Sequence, residues 1–143
     1  QEQQALADRF SLPLAEKIGD YLKRLFGPEA RAVVTFEDNA FKRIELVRSA
    51  QGGAMPFDSL SGGTREQVAA AVRLAIAELL AADHDGSLPV VFDDAFAYSD
   101  PDRVNTMQGM LDLGASRGLQ VIVLSCNPSD YAGLGARSVT LSV

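Results

Sequence analysis

The chain has 143 residues, 47% of them hydrophobic, which is the size and composition of one globular domain. No apolar run approaches the roughly 20 residues that cross a bilayer, and no basic-then-apolar leader opens the chain, so a membrane or secreted protein is disfavoured. The formal net charge of −6 argues against tight binding of nucleic-acid phosphates by this segment. The single cysteine, Cys126, excludes an internal disulfide and favours a reducing, cytoplasmic setting.

The first part of the chain, residues 1–26, has a helical pattern, because apolar side chains recur at three- and four-residue steps from Leu6 to Phe26. Pro13 lies inside this pattern, so the sequence predicts a break near Ser11 and two helices. The Gly-Pro pair that follows Phe26 ends the helical region.

An antiparallel hairpin is predicted next. Residues 32–36 and 43–48 are rich in β-branched or alternating apolar residues, and Asp38 and Asn39 between them suit a turn. Residues 49–58 contain glycine and proline and predict a loop.

The remaining chain predicts an α/β layer in which helices alternate with short apolar strands. The predicted elements are a helix over 64–82, a strand over 88–92, a helix over 101–117, and strands over 119–124 and 138–143. Strand–helix–strand order favours a parallel sheet with flanking helices.

The first candidate site is a glycine-rich loop. Gly62 and Gly63 let the backbone approach a bulky ligand closely. Thr64 and Gln67 have the spacing of a capping box, which predicts a helix start with free N–H groups that point out of the loop. These groups suit a phosphate, with the Ser61 hydroxyl as an added donor; a plain capped loop is the alternative.

Three further candidates follow strands or precede a helix. Asp93 and Asp94 end an apolar strand, and their mutual repulsion would be relieved by Mg²⁺; a solvated strand end is the alternative. Asp100 before Pro101 is typical of a helix cap. Asn127 follows another apolar strand, where α/β folds place ligands, so it is either a phosphate donor or part of a polar turn.

Taken in order, these motifs resemble the C-terminal lobe of ABC-type ATPase heads. The similar segments are residues 60–63 (ABC signature), 90–94 (Walker B), 99–100 (D-loop) and 125–127 (switch segment). The likeness is to SMC-like proteins and double-strand-break-repair ATPases, because the residues that follow the signature and Walker B differ from the transporter patterns.

This resemblance implies a partial P-loop NTPase lobe of the α/β class. Parallel strands with flanking helices would be joined by an N-terminal helical segment and a β-hairpin. Residues 1–26 would be the end of a coiled-coil arm, and residues 27–143 the C-terminal ATPase lobe.

The resemblance also implies roles for the acidic and polar strand ends. Asp93 would position Mg²⁺, and Asp94 occupies the position of a catalytic glutamate that orients or deprotonates the attacking water. Asn127 stands where the family has a histidine that senses the γ-phosphate. Both Asp94 and Asn127 depart from the family pattern, so catalytic competence is the open question.

The other candidates would act across an interface between two heads. By resemblance, Ser61, Gly62 and Gly63 would contact the γ-phosphate of an ATP held by a second head, and Asp100 would meet that head directly. A homodimer is therefore the expected assembly, with ATP and Mg²⁺ as cofactors.

The P-loop pattern Gly-x-x-x-x-Gly-Lys-Ser/Thr is absent from this sequence. In SMC-like heads it lies in an N-terminal lobe, so the missing lobe of the same protein is an expected partner, and the chain alone is expected to have negligible ATPase activity. DNA is a candidate partner of the full protein. The alternatives are a degenerate ABC lobe that only dimerises or regulates, a transporter-type nucleotide-binding fragment, and an unrelated α/β domain with an acidic metal site.

Overall fold

In the part of the chain that the structure describes, three helices and two small sheets make up a mixed α/β structure. The computed structural model describes residues 2–85, 88–93 and 100–142, and for residues 2–8 and 10 it describes the backbone alone. In chain order the elements are α1 (Glu2–Phe26), β1 (Arg31–Glu37), β2 (Ala40–Val47), β3 (Met55–Pro56), α2 (Gly62–Ala82), β4 (Pro89–Asp93), α3 (Pro101–Ser116) and β5 (Gln120–Leu124). Short 3₁₀ segments span Phe57–Ser59 and Pro128–Leu134. None of the described helices is both long and apolar enough to cross a membrane.

Helix α1 runs without interruption through Pro13, so the predicted break near Ser11 is wrong. Proline removes one N–H donor from the helix, but the turns that follow bury Ile18, Tyr21 and Leu22 completely. Helix stability in proteins comes mainly from such packing, which here outweighs the local cost of the proline. The side chains of Leu6 and Phe10, part of the predicted apolar face, lie outside the described residues.

The predicted hairpin is confirmed. Strands β1 and β2 pair antiparallel, and Asp38 and Asn39 between them have φ values of 53° and 63°. Such a pair of positive φ values makes the tight turn whose twist matches that of the strands. The predicted loop over 49–58 needs a correction, because β3 pairs with β2 through Leu46 and Met55.

Strands β4 and β5 pair parallel, as the alternation of strands and helices predicts, and α3 connects them. Asp93 at the end of β4 stands opposite Leu124 at the end of β5. The predicted strand over 138–143 is wrong for residues 138–142, which are irregular; Val143 lies outside the described residues. A strand needs a partner, and Val139 and Leu141 here are 70% and 81% exposed.

All three helices and both sheets contribute to one hydrophobic core. Its largest fully buried side chains are Tyr21, Phe92, Ile18, Leu22, Leu46, Leu74, Met107, Met110 and Leu111. Helix α1 packs against both α2 and α3 in this core, and the start of α2 lies near the start of α3.

Candidate functional site

The glycine loop, residues 60–63, leads directly into α2. The helix begins at Gly62 and its N-cap is Ser61, so the predicted capping box of Thr64 and Gln67 is wrong. The Ser61 hydroxyl accepts a hydrogen bond from the Thr64 N–H at 3.4 Å and donates one to the Thr64 hydroxyl at 2.9 Å. Thr64 and Gln67 are 4% and 6% exposed, and their side chains belong to the interior.

A buried side chain and an arginine hold this loop in place. Leu60 is 5% exposed, and the Arg48 guanidinium donates a hydrogen bond to the Thr64 hydroxyl at 3.2 Å. The same guanidinium lies over the Phe26 ring, 5.0 Å from its centroid, and so connects the end of α1 to the loop. The exposed part of the glycine loop therefore rests on a rigid base.

Asp100 caps α3, as predicted, by accepting a hydrogen bond from the Arg103 N–H at 2.9 Å. The side chain of Arg103 then crosses to α2, where a Cβ atom at Gly63 would overlap its guanidinium. The glycine loop and Asp100 consequently share one surface, and Ser61, Gly62 and Asp100 are exposed on it.

Sequence reasoning missed Arg103. The sequence did contain a signal. A basic residue in the first turn of a helix is repelled by the positive end of the helix dipole, so a compensating interaction is expected. Partial burial raises the pKa of Glu66 on α2, and the positive charge of Arg103 acts in the opposite direction. The Arg103 charge is therefore felt on α2 as well as on α3.

The edge of the parallel sheet holds the second set of predicted residues. Asp93 is exposed at the end of β4, where its partner on β5 is Leu124. Asn127 lies three residues after Leu124 in the chain. The Asn127 amide donates to the Asp130 carboxylate at 3.0 Å, and its carbonyl oxygen accepts from the Ser129 hydroxyl at 2.9 Å. Asp94, predicted to be catalytic, lies outside the described residues, as does Ser99 of the predicted D-loop.

Arg73 links the two sets of residues. It donates a hydrogen bond from α2 to the Val91 carbonyl at 2.6 Å, and its guanidinium lies 4.7 Å from the centroid of the Phe92 ring. The helix that begins at the glycine loop is thereby tied to the strand that ends in Asp93.

Among the described residues, no three histidine, cysteine, aspartate or glutamate side chains come together as a cation site. One exposed carboxylate, Asp93, fits a cation such as Mg²⁺ that is held mainly by water and by phosphate oxygens. A single carboxylate is too few ligands for a cation that is enclosed by protein side chains alone.

Comparison with curated proteins gives relatives without an assigned function. An uncharacterized protein of Mycobacterium tuberculosis and one of Mycobacterium bovis are each 39% identical to the chain over 95 residues, which is 66% of this chain. The chain spans about 10% of the length of these relatives. No family model matches the sequence.

Solved structures with a similar fold include SMC head domains. One, from work on ATP-driven dimerization and DNA-stimulated activation of SMC ATPases, has a TM-score of 0.70 at 16% identity, covering 94% of this chain and 80% of that one. The Smc head of Pyrococcus furiosus, bound to the C-terminal domain of ScpA, has a TM-score of 0.66 at 19% identity, covering 88% and 31%. The SMC head of Thermotoga maritima has a TM-score of 0.58 at 16% identity, covering 92% and 44%. The fold of the chain is therefore similar to that of SMC head domains.

Proposed function

We propose that the chain is the C-terminal lobe of an ABC-type ATPase of the SMC or DNA-repair kind. It would hydrolyse ATP only when joined to an N-terminal lobe that carries the P-loop and paired with a second head. The observation that carries this proposal is the shared surface of the glycine loop and Asp100 on a fold similar to SMC heads. The chain spans about 10% of the length of its relatives. A protein of that length has room for the other lobe and for a coiled-coil arm that ends in residues 1–26.

The glycine loop is suited to receive a phosphate from outside the lobe. The first N–H groups of α2 stand at its positive end, which favours an anion. The Ser61 hydroxyl could add a hydrogen bond by turning its proton from the Thr64 hydroxyl to the ligand. Ser61, Gly62 and Gly63 would contact the γ-phosphate of an ATP bound by the opposite head, while Asp100 would contact that head itself. A homodimer would form two such sites, each shared between the heads.

The sheet edge would supply the remaining chemistry. Mg²⁺ bound with the nucleotide neutralises charge on the phosphates, and Asp93 would hold it through water molecules. Asp94 would orient the attacking water or accept its proton, and Asn127 would donate to the γ-phosphate. For that, the Asn127 amide would exchange its contact with Asp130 for the ligand.

DNA is the proposed partner of the full protein, in DNA repair or chromosome maintenance. This lobe, with a formal net charge of −6, is not the proposed contact surface. A rise in the turnover of the full-length protein with added double-stranded DNA is the expected result, and no rise at any DNA concentration would remove DNA from the proposal.

The test is Ser61→Arg in the full-length protein. A long cationic side chain in the glycine loop would block the approach of the second head, while the P-loop lobe would still bind ATP. ATP-dependent head association should be lost and turnover should fall about 100-fold, the scale of losing a transition-state contact. Nucleotide binding, measured by equilibrium titration, should change less than about threefold.

A matched control is Ser116→Arg, which places the same side chain at an exposed serine at the far end of α3. It should retain association and turnover. If Ser61→Arg turned over ATP as fast as this control, the glycine loop would have no role at the interface and the proposal would fail.

A non-catalytic lobe is the second candidate, because Asn127 replaces the family's histidine and its amide is held within its own loop by Asp130 and Ser129. Such a lobe would associate with ATP present but would not hydrolyse it. Asp94→Asn in the full-length protein separates the two functions. Loss of measurable turnover in that variant favours the ATPase, whereas ATP-dependent association with no turnover in either protein favours the non-catalytic lobe.

A further inference from the structure

The two glycines that begin α2 have different surroundings. A Cβ atom at Gly62 would meet no atom within 4 Å, so that glycine faces open space. A Cβ atom at Gly63 would overlap the guanidinium of Arg103. Only a residue without a side chain leaves room for the guanidinium to lie against the start of α2, so Gly63 and Arg103 form a packed pair.

Arg103 interacts with residues of both helix starts. Its backbone N–H donates to one oxygen of Asp100 at 2.9 Å, and its side-chain Nε lies 3.9 Å from the other oxygen. Across the gap its charge acts on Glu66, where it opposes the effect of partial burial on the pKa of that carboxyl group. A single side chain therefore touches Asp100 on α3 and the first turns of α2.

We propose that Arg103 is a positioning residue that sets the distance between Asp100 and the glycine loop, so that both meet the opposite head together. This inference rests on the proposed function. Without the guanidinium, the two helix starts would be joined only through the core beneath them. The exposed groups would then adopt a broader range of separations, and the geometry that brings a reacting phosphate into place would be populated less often.

Arg103→Ala in the full-length protein is the first test. Turnover at saturating ATP should fall about 10-fold, while KM for ATP stays within about twofold, because the nucleotide is held by the other lobe. ATP-dependent head association, measured in parallel, should weaken by a similar factor. Arg103→Lys keeps the charge but loses the planar group that lies on Gly63, so it should restore less than half of the lost activity.

Double-mutant cycles distinguish positioning from general loss of structure. Gly63→Ala should displace the Arg103 side chain, which is flexible enough to move without unfolding the lobe. Its effect on turnover and association should therefore be at least threefold smaller in an Arg103→Ala background than in the wild type. Gly62→Ala, next to it but facing open space, is the matched control and should have the same effect in both backgrounds.

The outcomes separate this inference from the function beneath it. If Ser61→Arg is inactive while Arg103→Ala retains wild-type turnover and association, the proposed function stands and the role of Arg103 is overturned. The role is also overturned if the effects of Gly63→Ala and Arg103→Ala simply multiply. It is overturned as well if the loss of activity in Arg103→Ala comes with a clearly lowered melting temperature, because the loss would then follow from loss of structure. If Ser61→Arg is active, the proposed function itself fails.

Discussion

Helix α2 is held by arginines at both of its ends, but in opposite ways. At its C-terminal end Arg117 donates to Asp20 at 2.9 Å and to Glu78 at 3.2 Å, and its guanidinium lies 5.7 Å from the centroid of the Tyr21 ring. Lys17 adds a second cation 3.6 Å from Glu78, whose side chain is only 10% exposed. These residues, called here the arginine–carboxylate network, join α1, α2 and the end of α3.

The charge of Arg117 is paired within this network, and its pKa reflects that pairing. Burial lowers the pKa of Arg117, but the hydrogen bonds to Asp20 and Glu78 outweigh it, so the net direction is upward. Burial raises the pKa of the Tyr21 hydroxyl, and the nearby Glu78 carboxylate raises it further, although the hydroxyl has no hydrogen bond of standard geometry among the described residues.

The N-terminal end of α2 differs. Arg48 contacts a hydroxyl and a ring, and Arg103 contacts the backbone at Gly63, with its Asp100 partner at 3.9 Å. Guanidinium groups at this end are thus less completely paired with carboxylates than Arg117 is. One end of the helix thus stabilises the fold, while the other presents polar groups and positive charge, as the proposed function requires.

The largest expected effect on stability is that of Arg117→Ala. It removes two charge-assisted hydrogen bonds and leaves Lys17 as the cation that faces the largely buried Glu78 carboxylate, so the free energy of unfolding should fall by about 2 kcal/mol. Arg103→Ala should change it by less than about 0.5 kcal/mol, because that contact is exposed. Urea unfolding of the two variants measures both values. Equal losses would mean that the two ends of α2 do not differ as described.

A smaller effect is expected for Ser61→Ala, which removes the N-cap of α2. Loss of the hydroxyl leaves the Thr64 N–H without its side-chain acceptor and should lower the free energy of unfolding by about 1 kcal/mol. Ser59→Ala removes an exposed hydroxyl that donates to the Pro56 carbonyl, and it should cost less than about 0.5 kcal/mol. If thermal unfolding ranked the two variants in the reverse order, Ser61 would not be the cap that starts the helix.

Local signals in the sequence were sufficient where a residue acts on its immediate neighbours. The Asp38–Asn39 turn, the Asp100 cap and the parallel pairing of β4 with β5 all follow from such signals. The same reasoning failed where distant packing decides. The burial of Tyr21 and its neighbours keeps α1 continuous through Pro13, and the predicted strand over 138–142 finds no partner among the described residues.

The candidate site shows the same division. Sequence patterns identified Ser61, Gly63 and Asp100 one by one, and each lies on the exposed surface that the two helix starts share or just beneath it. The contact between Arg103 and Gly63 could not be read from the sequence, because the two residues are 40 positions apart and meet only after α2 and α3 pack together. The roles of all these residues in nucleotide chemistry stay predictions.

The smallest expected effect sharpens the comparison at Glu66. Its pKa is raised above 4.5 in the folded state by partial burial, so folding favours the protonated form. Its contribution to stability is therefore full below the unfolded pKa and is lost as the pH rises through the folded pKa. Because Glu66 is exposed, solvent screens the effect, so Glu66→Gln should unfold like the wild type near pH 4 and be more stable at pH 7 by at most a few tenths of a kcal/mol. In an Arg103→Ala background the gain at pH 7 should be larger, because the guanidinium that favours the ionised carboxylate is gone.

Urea unfolding of the four proteins at both pH values measures this, and a gain that is the same in both backgrounds would show that the charge of Arg103 does not reach α2.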